Sequence, residues 1–114
     1  MKLRDLVEEI VIDPRKLTGY VLNEQNERGK HKARLFKSIL GFTITNYELL
    51  LEEIRTKAPQ NEALFRQKSQ HGLHYQVDIM VTGPNSHTAR VRTGWIIEFN
   101  SQIARLTSAY ILKK

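Results

Sequence analysis

The chain contains no cysteine among its 114 residues. That absence excludes disulfides, thiolate zinc sites and cysteine nucleophiles together. It also lacks any run of about 18 apolar residues, so no helix is expected to cross a membrane. Its apolar stretches are short, such as Leu49-Leu50-Leu51 and Trp95-Ile96-Ile97. The opening segment, MKLRDLVEEIVID, has neither the long apolar region nor the cleavage site of a signal peptide, and a cytoplasmic location is expected. There is no internal repeat, low-complexity tract, Walker loop or dinucleotide fingerprint. The acidic pairs Glu8-Glu9 and Glu52-Glu53 read as solvated charges rather than catalytic carboxylates. His71 and His74 stand three apart with only Asp78 as a nearby acid, so neither a metal nor a cofactor is expected.

What is present is an ordinary globular composition, 40% hydrophobic and 26% charged. At this length it predicts one domain over 1–114. Eighteen basic residues against twelve acidic give a net charge of +6. Residues 1–53 carry nine of each sign, so the whole excess lies in 54–114. The first half nevertheless holds a basic block, Arg28, Lys30, Lys32, Arg34 and Lys37, with His31 and no acid between. Such a surface attracts phosphate polyanions, acidic proteins or anionic lipids, or is simply a soluble basic surface.

Residues 1–12 fit either a short helix or a strand. Asp13-Pro14 starts a helix through Leu17, Tyr20 and Val21, because Asp caps and Pro suits the first helical position. NEQNERG over 23–29 reads as a loop, and a second helix runs from Lys30 to Leu40, stopped by Gly41. A third begins at Thr45, with Glu48 completing a capping box. Residues 58–72 are polar, with room for one short helix. The period then changes. LHYQVDIMVT (73–82) alternates, Gly83-Pro84-Asn85-Ser86 turns, and 87–99 and 103–112 read as two further strands. Helices first and an antiparallel meander second predict an α+β fold, with helices on one sheet face and the other free for a ligand.

On the second helix, Leu35, Phe36 and Ile39 cluster and Lys32 falls in their sector, while Lys30, Arg34 and Lys37 face away. Lys32 then either snorkels past the helix end or, with His31, edges a cleft where a cation binds phosphate and an imidazole exchanges a proton. Alternation along 87–98 puts Val91, Thr93, Trp95 and Ile97 on one face and Arg90, Arg92 and Gly94 on the other. The two arginines suit either solvent or phosphate oxygens. Gly94 marks a bulge or a close ligand approach, and Trp95 is either core or a stacking platform. Along 103–112, Arg105 and Thr107 share a face, with Tyr110 on the more apolar one unless a bulge intervenes.

Three segments, IDPRKLTGYVLN (12–23), GKHKARLFKSILGF (29–42) and VRTGWIIEFNSQIARLTSAYIL (91–112), resemble a family of small bacterial domains that look like toxin components. Their layout is similar to the barnase–EndoU–colicin–RelE ribonuclease superfamily. The resemblance implies N-terminal helices packed on a C-terminal antiparallel β-meander that bears the active site. Its pattern points to His31, Lys32, Arg92, Thr93, Thr107 and Tyr110, read here as catalytic, and to Trp95, with Arg34 and Arg105 as weaker positions, read as contacting RNA; Lys30 of the basic helix and Arg90 of the arginine face are added to the RNA-contacting set from their own charge. It implies a metal-independent endoribonuclease toxin that leaves a 2′,3′-cyclic phosphate, partnered by a small acidic antitoxin. A noncatalytic RNA-binding module, or a protein docking an acidic partner, would use the same basic face.

Overall fold

A computed structural model describes residues 1–112. A five-stranded sheet runs in the order β1-β5-β4-β3-β2, with helices packed on one face. The strands are β1 (Glu9–Val11), β2 (Ala63–Ser69), β3 (Gly72–Thr82), β4 (Thr88–Glu98) and β5 (Ile103–Ile111). β2 to β5 form an antiparallel meander, whereas β1 pairs in parallel with β5. No helix among the described residues is long and apolar enough to cross a membrane.

The first twelve residues hold both structures that their sequence suggested, α1 (Leu3–Leu6) and then β1. Asp13 caps α2 (Pro14–Lys16) by accepting from the Arg15 backbone N–H at 2.9 Å, and the helix continues through a π turn, Leu17–Val21. α3 (Lys30–Leu35) likewise continues through a π turn over Phe36–Leu40. It ends at Gly41, whose φ of 84° is the left-handed conformation glycine accepts readily.

Three expectations about the helical half are corrected. α4 (Tyr47–Lys57) is entered from Thr43 rather than Thr45: Thr43 N–H donates to Asn46 Oδ1 at 2.7 Å across a 3₁₀ turn, Ile44–Asn46. The wider turns of α3 bury Ala33, Phe36 and Leu40, leaving Leu35 and Ile39 half-buried and Lys32 exposed. Lys32 is therefore not in the apolar sector. In the polar stretch 58–72, a 3₁₀ turn over Ala58–Gln60 is followed by a whole strand, β2.

The core lies between the sheet and the helices. Val77, Ile79, Val81, Val91, Trp95, Ala104 and Leu106 meet Leu17, Phe36, Phe42, Leu50 and Ile54 there. Burying these side chains contributes about 1.5–3 kcal/mol for each larger aliphatic or phenylalanine. The opposite sheet face carries the even-numbered residues of β3 and β4. The turn joining these strands is tied to the end of α3 by Asn85 Nδ2 donating to the Ile39 carbonyl at 3.0 Å.

Candidate functional site

On the helix-free face a groove of about 220 Å³ crosses the centre of the sheet. β2 and β3 contribute Arg66, His74 and Gln76, β4 contributes Arg92 and Gly94, and β5 contributes Thr107, Ser108 and Tyr110. Two sequence features bring them together.

The first is a bulge in β5. Gly94 faces Ser108 but Trp95 faces Leu106, so Thr107 is the extra residue. An extra residue resets the two-residue alternation beyond it. Ala109 and Ile111 consequently enter the core, and Tyr110 turns to the open face opposite Arg92. Thr107 and Ser108 both remain partly exposed.

The second feature is Gly94 itself. A methyl group on its Cα would lie 2.6 Å from Ser108 Oγ and 3.0 Å from Thr107 Oγ1. Two hydroxyls thus occupy the space that any other side chain at 94 would fill. A bare backbone at the groove floor permits this approach.

Arg92 is fixed by Asp78 across the strand pair, with Nε donating to Oδ1 at 2.9 Å and Nη2 to Oδ2 at 3.1 Å. With its amide oxygen toward the guanidinium, Gln76 accepts from the same two nitrogens at 3.0 and 3.1 Å. The hydrogen bonds to Asp78 hold the Arg92 pKa above its ordinary value against the opposing effect of desolvation, and Tyr110 acts in the same direction as Asp78. Arg92 therefore stays charged at every working pH. Asp78 and Gln76 engage Nε and Nη2, so Nη1 is the nitrogen they leave toward the groove, and the plane of the guanidinium is set by the bidentate pair.

Lys32 reaches this site over the edge of β5, its Nζ 4.4 Å from the centre of the Tyr110 ring. His74, a histidine that the sequence did not single out for this site, lies on the groove wall with Nε2 2.9 Å from Ser69 Oγ. A neighbouring cleft shares Thr107 and is lined also by Asp13, Lys16, Ile96 and Arg105. There Arg105 pairs loosely with Glu98 at 3.4 Å, and Asp13 is engaged by Arg15.

Of the residues expected to share a site, Arg92, Thr107 and Tyr110 meet in the groove and Lys32 stands at its rim. Thr93 and Trp95 flank the glycine floor, but their side chains are wholly buried on the core face. Trp95 Nε1 donates to Thr93 Oγ1 at 2.7 Å, and Thr93 Oγ1 donates to the Val77 carbonyl at 2.6 Å. A hydroxyl so committed offers nothing to a ligand, and a buried indole stacks on no base. His31 is exposed on α3 and is not among the residues lining the groove, so the groove does not bring it together with Arg92. Lys30 is half-buried beside Glu27 at 3.3 Å, while Arg34 and Arg90 are exposed.

Arg66, His74, Gln76 and Ser108 are groove residues that sequence reasoning missed, as it missed Asp78, which holds Arg92. The even positions 74, 76 and 78 are the polar half of an alternating strand, which was the available signal. Arg66 had none, because its strand was unrecognised.

Fold and groove define a small α+β protein with a helical layer on one sheet face and a polar, cationic groove on the other. The chain belongs to the family described as a domain of unknown function (DUF6883), which matches residues 2–113. No curated protein matches it in sequence. Its fold is similar to that of a chain in a contact-dependent growth inhibition toxin–immunity protein complex from Klebsiella pneumoniae 342. The TM-score is 0.68 at 15% identity, covering 91% of this chain and 94% of that one.

Proposed function

We propose that the groove binds an RNA phosphodiester and that the protein is a metal-independent endoribonuclease of toxin type. RNA supplies its own nucleophile, the 2′-hydroxyl. The site must orient the ribose, accept and donate protons, and stabilise charge gathering on the phosphoryl oxygens. The observation that carries this reading is the convergence of the Thr107 and Ser108 hydroxyls over Gly94, beside a guanidinium fixed by Asp78.

In this reading Arg92 and the two hydroxyls bind the non-bridging oxygens of the scissile phosphate. Arg66 and Lys32 add positive charge on opposite sides, and Tyr110 protonates the departing 5′-oxygen. The product is a 2′,3′-cyclic phosphate and a 5′-hydroxyl. Lys30, Arg34 and Arg90 draw the polyanion to the surface, and Arg105 meets a flanking phosphate in the neighbouring cleft. The toxin part takes its support from the fold shared with one chain of a growth-inhibition toxin–immunity protein complex, together with the resemblance of the three sequence segments to toxin components. By the same reasoning the partner is a small acidic protein that covers the face bearing Arg90 and Arg92, bound less tightly as salt rises.

Purified protein incubated with total RNA in EDTA is expected to cut it and leave cyclic phosphate ends. Strict dependence on added divalent metal, with 3′-hydroxyl ends, would contradict the mechanism. RNA binding without cleavage would identify the noncatalytic module instead.

A further inference from the structure

We propose that His74, rather than His31, is the proton-transferring histidine of the groove. The assignment rests on the ribonuclease reading above and adds the group that must take the 2′-hydroxyl proton.

His74 lies on β3 and Tyr110 on β5, so the two flank β4 and its glycine floor from opposite sides. His74 stands opposite Ile96 and Tyr110 opposite Arg92, so the two lie diagonally across Gly94, two strands of about 4.8 Å spacing apart and offset by four residues along β4, with room for a phosphoryl group between the side chains. In-line displacement needs this disposition, with a base on the attacking side and an acid on the leaving side. Ser69 adds a tautomeric argument. Its hydroxyl accepts from the His71 backbone N–H at 3.1 Å and lies 2.9 Å from His74 Nε2. In the proposed arrangement the hydroxyl accepts from Nε2–H as well, so that the ring carries its proton there and Nδ1 is the basic nitrogen. Nδ1 has no hydrogen-bond partner among the described residues. The other charged or titratable groups lining the groove are Arg66 from β2, Arg92 from β4 and Tyr110 from β5.

In the step proposed, Nδ1 takes the 2′-hydroxyl proton as the 2′-oxygen bonds to phosphorus. The P–O5′ bond breaks, and the 5′-oxygen receives the proton of the Tyr110 hydroxyl. The imidazolium then returns a proton to the phenolate through solvent, which restores both groups.

His74→Gln tests this while retaining an N–H for Ser69. Cleavage of a short RNA should fall roughly 10²–10⁴-fold with little change in melting temperature, and the acid limb of the kcat/KM–pH profile should disappear. His31→Ala should retain both rate and profile. If the wild type cuts RNA and His74→Gln keeps its rate and its acid limb, the assignment of His74 is wrong and the ribonuclease reading stands. If the wild type cuts no RNA, the reading falls and this assignment with it. Should His74→Gln fail to fold, NMR of the wild-type histidine rings with a noncleavable 2′-deoxy dinucleotide decides. Perturbation of His74 and not His31 supports the proposal, and the reverse pattern overturns it.

Discussion

The two faces of β4 carry adjacent residues with opposite tasks. Toward the helices, Thr93 and Trp95 are wholly buried and bonded to each other and to the Val77 carbonyl. Toward solvent, Arg92 and Gly94 are half-exposed in a groove with the hydroxyls of β5. The strand's two-residue period alone separates them. The VRTGW segment therefore contains two patterns, and only its even positions face the groove. The Trp–Thr pair bonds β4 to the Val77 carbonyl of β3 behind the groove, so part of the motif packs the core beneath the groove while its neighbours line it.

Substitutions at odd and even positions should break this comparison in different ways. The largest effect on stability is expected from Trp95→Ala, which should cost about 3–5 kcal/mol through lost burial and a cavity. Thr93→Val keeps the shape but leaves the indole N–H without its acceptor, at a cost of about 1–3 kcal/mol. Chemical denaturation of both variants measures these values. A Thr93→Val protein as stable as wild type would show that the buried pair does not fasten the sheet.

The smallest effect lies on neither face. Arg15, bonded to the Asp13 carboxylate, lowers its pKa to about 2. A pKa lowered by folding stabilises the native state above the ordinary carboxylate range, and that contribution fades as pH falls through the folded value. Asp13→Asn keeps a capping oxygen and removes the charge. Its melting temperature should lie slightly below wild type at pH 7, with the gap closing as pH approaches 2. A gap independent of pH would assign the effect to the cap rather than the charge.

Much of the fold was legible because burial imposes a period. β3 and β4 alternate cleanly, and Gly41 and Asp13-Pro14 mark helix ends through backbone requirements of their own. β2 was not legible: from Leu64 to Lys68 it is exposed throughout, so no face selects its apolar residues. The parallel pairing of β1 was hidden for another reason, since three residues are too few for a period. At the site, Gly94 was a visible interruption whose consequence lay on another strand. The β5 bulge exists only relative to β4, so the face of Tyr110 could not be read from LTSAY alone. His31 drew notice as a histidine between two lysines, whereas His74 was weighed only with His71 as a metal pair, and the pairing register that carries it into the groove lies outside the segment.

The central claim is that the helix-free face of β4 performs the chemistry while the other face maintains the fold. The most direct test is the rate of RNA cleavage by Gly94→Ala, measured beside wild type at equal folded concentration. The added methyl meets only the ends of the Ser108 and Thr107 side chains, which can turn away, so the fold should persist. Displacing two hydroxyl donors from the phosphate should lower the rate about 10²–10³-fold or more. A folded Gly94→Ala protein that cuts RNA as fast as wild type would contradict the account.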